Sequence, residues 1–152
     1  MTMDDKPSVG RTQQGELTLD QIASMQPGLN RLMPEIGERY WILYYAARGG
    51  NWALAHYELR SVRNLFKIGA QTRPKMASYL EAFDTGHLGA LERAIEAKDW
   101  AAFDPAYQDS IAGLNNMHAA TQHGYIVWKL PAEPPKHLDW GPQETQTQHH
   151  VS

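Results

Sequence analysis

Apolar residues recur at three- and four-residue steps along most of this chain, the spacing that lays one stripe down a helix of 3.6 residues per turn. The first long stripe is Leu29, Leu32, Met33, Ile36, Tyr40, Leu43, Tyr44 and Ala47. It predicts a helix over 29–48 whose regular part begins near Met33, because Pro34 suits a first turn better than a helix middle. Gly49 and Gly50 end it, glycine accepting the left-handed cap at no steric cost. Asn51 caps a second helix over 52–70, with Trp52, Ala55, Leu59, Val62, Phe66 and Gly69 on one face. So short a connection makes the two helices antiparallel neighbours. Thr72, Arg73 and Pro74 start a third stripe of Met76, Tyr79, Leu80 and Phe83. It continues through His87, Leu91 and Ala94 or Ile95 beyond the breaker Asp84, Thr85 and Gly86, which predicts one helix bent or interrupted at that triplet and ending near Lys98. Asp99 caps a fourth helix over 100–122, striped by Phe103, Tyr107, Ile111, Leu114 and His118 and stopped by Gly124.

Outside these four helices the pattern weakens. Thr18 can cap a short helix over Leu19–Met25, ended by Pro27 and Gly28. Residues 1–16 are polar and read as a flexible arm. Residues 125–130 have strand-like composition but no partner strand, so extended chain packed along the helices is expected. Residues 131–152 form a Pro-rich and then polar tail. The expected fold is all-α: an antiparallel four-helix bundle over 17–130, with a short N-terminal helix and an extended C-terminal tail.

Composition narrows the chemistry. A chain of 152 residues suits one domain. The net charge of −3 creates no positive field, so neither nucleic acid nor a membrane is expected as partner. Zero cysteines exclude disulfides, thiolate metal sites and cysteine nucleophiles. The polar N-terminus carries no secretory core and no apolar run approaches membrane-spanning length, so a cytoplasmic location is expected.

The order of elements, with Asn51-Trp-Ala-Leu-Ala-His-Tyr-Glu-Leu59, Phe83-Asp84, Ala106-Tyr107, Asn115-x-x-His118 and Tyr125-Ile126-Val127, resembles a bacterial cytochrome c-like family. That family consists of four-helix bundles similar in architecture to cytochrome c prime. Its last helix carries a Cys-Asn-x-Cys-His haem-attachment element followed by a Phe/Tyr-Ile run and a proline-containing tail. Here Asn115 and His118 match the asparagine and histidine, while Leu114 and Met117 stand at the cysteine positions. The resemblance implies the bundle over about 29–135. It also implies a residual cofactor site at Leu114, Asn115, Met117, His118 and Tyr125, from which thioether attachment of haem is chemically excluded.

His118 is the sharpest candidate among the residues themselves. Its place on the fourth stripe points it into or along the rim of the bundle, and a buried imidazole without a partner costs about 1–3 kcal/mol. Three partners remain open: a carbonyl or carboxylate, a ligand such as haem iron, or a substrate proton. His56 and Glu58 diverge by about 200° on a helix and do not chelate one ion together. Asp84 and His87 have ligand spacing, but no Glu-x-x-His occurs in the chain and a capped turn is the favoured reading. His118 and His123 diverge by about 140°. His149 and His150 form an incidental tail pair. Arg60, Arg63 and Lys67 line one helix flank and read as a basic edge paired with acidic neighbours.

Tyr40, Trp41, Tyr44, Tyr45, Trp52, Tyr57 and Phe66 crowd where the first two helices meet. Trp41 and Tyr45 fall off the main stripe, which suggests either a patch for a homodimer or protein partner, or a pocket for a small, flat apolar ligand. No catalytic constellation and no metal site emerges. The leading expectation is a non-enzymatic, dimerising binding or accessory module. The alternative is non-covalent haem or planar-ligand binding through His118, and the third is an enzyme using His118 as acid or base.

Overall fold

The computed structural model describes residues 8–143, and over these the chain is mostly helical with one small two-stranded sheet. The helices are α1 (Leu19–Met25), α2 (Leu29–Gly49), α3 (Trp52–Thr72), α4 (Ala77–Phe83), α5 (Gly89–Glu96) and α6 (Trp100–Ala120). The predicted stripes form one core, in which Leu43, Leu59, Leu80, Leu91, Phe103 and Tyr107 are almost wholly buried. Helix α2 packs most extensively on α3; α3 also meets α4 and α5, and α6 lies against α5 and α2. Among the described residues no helix is long and apolar enough to cross a membrane.

Local chemistry accounts for most boundaries. Gly50 takes φ 82° to close α2, and the Asn51 side chain accepts from the Leu54 N–H at 3.2 Å to open α3. Asp99 does the same for α6, accepting from the Ala102 N–H at 3.1 Å. Pro34 does not delay α2, which begins at Leu29. Proline supplies no N–H to the preceding turn, but Pro34 and Asn30 are both exposed, so water can satisfy the carbonyl that loses its partner.

The predicted third helix is a composite rod. A 3₁₀ turn over Pro74–Met76 leads into α4, and a π-helical turn over Asp84–Leu88 joins α4 to α5. The breaker triplet therefore inserts a wide turn without ending the helix. Arg63 of α3 anchors it: Nε and Nη2 donate to the two Asp84 carboxylate oxygens at 2.9 and 3.1 Å, and Nη1 donates to Glu92. Of the expected basic edge, Arg63 is thus an inter-helix clamp, while Arg60 and Lys67 are exposed.

Two expectations at the N-terminus are corrected. The chain is not all-α, because β1 (Val9–Thr12) and β2 (Gly15–Thr18) pair antiparallel, Val9 opposite Thr18 and Thr12 opposite Gly15. The hairpin also occupies residues read as a flexible arm; residues 1–7 of that arm lie outside the described residues. Each strand is only four residues long, without an apolar alternation, and the Gln13-Gln14 turn lacks the Asn-Gly signature of tight hairpins. The turn is instead held by Thr12, whose hydroxyl donates to the Gly15 carbonyl at 3.1 Å and accepts from the Gln14 N–H at 3.1 Å. Thr18 does cap α1, in a reciprocal capping box with Gln21.

At the other end α6 stops at Ala120, before Gly124. Gln122 takes the left-handed conformation at φ 66°, and the His123 N–H reaches the His118 carbonyl at 2.7 Å. The chain then runs extended along α2. Asn115 holds it by accepting from the Trp128 N–H at 2.8 Å and donating to the Trp128 carbonyl at 3.0 Å. Tyr45 donates to the Pro131 carbonyl at 2.7 Å, and Trp41 Nε1 donates to the Glu133 carbonyl at 2.9 Å. A Cβ at Gly37 would sit 3.2 Å from Trp128 Nε1, and one at Gly49 would collide with the Trp140 carbonyl, so these glycines let the segment lie close. Trp41 and Tyr45, expected to form either a partner patch or a pocket for a flat ligand, are both bonded to the chain's own C-terminal segment, and Trp41 also lines a cavity. The polar tail from residue 144, with His149 and His150, lies outside the described residues.

Candidate ligand cavity

The N-terminal half of α2, the C-terminal ends of α3 and α6, the turn Pro74–Met76, α4 and the run after α6 line a cavity of about 1260 Å³ that opens to solvent. Its walls are mainly apolar: Met33, Ile36, Phe66, Leu80, Phe83 and Met117 contribute from four helices. Gly69 keeps α3 close to α2 here, since a Cβ would lie 3.0 Å from Leu29 and 3.3 Å from Leu80.

Tyr40 belongs both to this wall and to the packed interior. Its ring stacks on Tyr107 with centroids 4.6 Å apart and planes 17° apart, and meets Trp128 edge-on at 5.7 Å. The Tyr107 hydroxyl donates to the Tyr40 carbonyl at 2.6 Å, and Ser110 Oγ donates to the Tyr107 carbonyl at 2.6 Å. The Tyr40 hydroxyl donates in turn to Ser110 Oγ. Burial pushes both phenol pKa values up, so neither ring ionises near neutral pH. The network is structural.

Four of the five candidate cofactor residues line the cavity. Leu114 is buried in its wall, Met117 and His118 are half-buried, and Tyr125 stands at the rim, 81% exposed. Asn115 does not join them: both ends of its amide are taken by Trp128, which orients the cavity's Trp128 wall. His118 Nδ1 lies 3.0 Å from the Ile126 carbonyl. A carbonyl oxygen only accepts, so Nδ1 carries the proton in this contact, and in the neutral ring Nε2 keeps its lone pair.

Sequence reasoning missed several wall residues. Met33 and Met76 read as core, Arg73 as a helix-start signal, and Trp128 as part of an isolated apolar run; Lys75 carried no signal. Arg73 donates to the carbonyls of Thr72 at 2.7 Å and Gln26 at 3.3 Å. Its approach requires Gly28, whose Cβ would fall within 2.6–2.9 Å of the guanidinium.

The other candidates are occupied elsewhere. Glu58, paired with His56 in the sequence reading, is a buried carboxylate on α3 that accepts from Arg39 at 3.0 Å. Burial raises its pKa, and the Arg39 bond partly offsets the rise. Asp84 is held by Arg63. His87 packs on Phe83 with centroids 4.9 Å apart and against α6 at Gly113, where no side chain would fit without displacing it. The His123 ring lies 5.9 Å from that of Tyr125 at the cavity rim. Among the described residues, no three His, Cys, Asp or Glu side chains gather where they could hold a metal ion. Comparison with protein-family models, with curated proteins and with solved structures finds no match to this chain.

Proposed function

We propose that this chain is a non-enzymatic binding protein, an antiparallel four-helix bundle that holds a bulky, flat, apolar ligand without covalent attachment. The observation that carries this is the cavity, about 1260 Å³ and walled mainly by apolar side chains. Small-molecule sites commonly span about 300–1,000 Å³, so the space suits a large ligand. Apolar walls that do not touch one another forgo dispersion contacts, and a ligand that fills the space restores them.

Non-covalent haem is the form of this reading that uses His118. Leu114 and Met117, standing where the resembled family has cysteines, would meet the macrocycle through apolar contact, with Tyr125 at the rim. His118 would hold the iron through Nε2, its ring oriented by the bond from Nδ1 to the Ile126 carbonyl. Bound haem would supply electron transfer or binding of a small gas. The chain's own residues bind, orient and exclude water. Titrating hemin into the purified protein is expected to produce a sharpened, shifted Soret band that His118→Ala abolishes. An unchanged spectrum, or an identical band in the variant, removes His118 as an iron ligand.

A further inference from the structure

We infer that the ligand of this cavity carries an anionic group, a carboxylate or its equivalent, and that Arg73 and Lys75 receive it. The inference rests on the cavity-binding reading above and names the class of ligand.

The argument comes from how the chain treats its half-buried arginines. Arg39 donates to two carboxylates, Glu35 and Glu58, and Arg63 donates to Asp84 and Glu92. Arg73 is half-buried as they are, yet among the described residues no carboxylate pairs with it. Its hydrogen bonds go to two neutral carbonyls, those of Thr72 and Gln26. A guanidinium has five N–H donors in a planar fork, so these two bonds leave three donors unassigned. Lys75, two residues on, lines the same cavity and forms no ion pair among the described residues. Among the described residues the one carboxylate on the wall is Glu38, on the exposed side of α2.

The C-terminus of α3 accounts for part of this placement, because a cation there complements the helix dipole. It does not account for Lys75, which lies beyond the helix in the 3₁₀ turn. Two cations of adjacent turns at the edge of an apolar cavity match an amphipathic ligand: a flat apolar body inside, an anionic head at Arg73 and Lys75. Charge-assisted bonds to a bidentate fork are about twice as strong as neutral ones, so the head would select among ligands with the same body.

A matched pair of fluorescent probes tests this, 1-pyrenebutyrate and 1-pyrenebutanol, which share the aromatic body and differ in the head. The full chain is expected to bind the carboxylate on the order of tenfold more tightly than the alcohol. In R73Q/K75Q, checked as folded by circular dichroism, the preference should collapse to about one through loss of carboxylate affinity. Equal binding of both probes by the parent chain, or a preference that survives in R73Q/K75Q, overturns the inference and leaves the cavity reading standing. If R73Q/K75Q unfolds, K75Q alone, exposed and outside every helix-capping bond, should still reduce the preference; an unreduced preference there counts against the inference. Absence of binding by either probe overturns both readings together.

Discussion

The two halves of α2 meet opposite surroundings. In the C-terminal half, Tyr44 is enclosed by Tyr45, Trp100 and Tyr107 with ring centroids 4.9–5.4 Å apart, and Tyr45 also meets Trp140 at 6.2 Å. In the N-terminal half, Met33, Gly37 and Trp41 border a cavity of about 1260 Å³. Both halves carry the same apolar stripe. What differs is what faces them. Rigid rings from the first turns of α3 and α6, Trp52, Trp100 and Phe103, interlock and fill the space at one end. At the other end Met33, Met76 and Met117 share the wall with the rings of Phe66, Phe83 and Trp128, which line the volume without closing on one another across it. The difference teaches that apolar patterning specifies a buried face, whereas side-chain shape decides whether that face closes on protein or on a ligand.

One substitution at each end would break this comparison most directly. Phe103→Ala, at a fully buried position of the filled end, should cost about 3–5 kcal/mol in urea unfolding. Met117→Ala on the cavity wall should cost less than about 1 kcal/mol, because it enlarges existing space and opens none. Equal losses at the two sites would erase the distinction.

The next effect lies at the seam. Asn115→Ala strips partners from both polar backbone groups of Trp128, so a loss of about 1–3 kcal/mol is expected, together with faster amide exchange at Trp128. Unaltered exchange would mean that the run after α6 is held without Asn115.

The smallest effect concerns Glu58, which ties α3 to Arg39 at the cavity half of α2. Burial lifts its folded-state pKa above the ordinary 4.5, despite the Arg39 bond. A carboxylic acid with a raised folded pKa keeps its proton to higher pH than the unfolded chain does. Its contribution is therefore full below the unfolded value and declines as pH rises through the folded one. Glu58→Gln should flatten that decline in stability between pH 4.5 and the weakly acidic range. A parent curve that rises with pH there, with the rise lost in Glu58→Gln, would mean that the Arg39 bond outweighs burial.

Much of the helical frame is legible in the residues because its causes are local. Gly50, Asn51 and Asp99 mark helix ends through cap chemistry, and the stripes name most core positions but miss Ile42, Ala46 and Leu88 and wrongly include the exposed Tyr79. The hairpin was not legible, since its turn depends on Thr12 hydrogen bonds and not on a turn dipeptide. The π turn was visible only as a break, because the clamp that makes it a continuous rod is Arg63, some twenty positions away. At the site, His118, Met117 and Leu114 could be named from the stripe and the motif outline. Asn115 could be named too, yet its partner is a backbone thirteen residues downstream, and its work is to hold the chain.

The sequence by itself determined that the chain is mainly helical, where its long helices start, which faces are buried, and that no thioether could ever hold a haem. These follow from periodicity, capping groups and the absence of cysteine, all of which act within a few residues. Tertiary structure alone decided that Trp41 and Tyr45 are covered by residues 128–140 of the same chain. It decided too that a large apolar space remains between α2, α3, α4 and α6, and that Arg73 and Lys75 line it with no ion pair among the described residues. Volume left between helices, and charge left without a partner, are sums over distant parts of the chain; no local pattern encodes them.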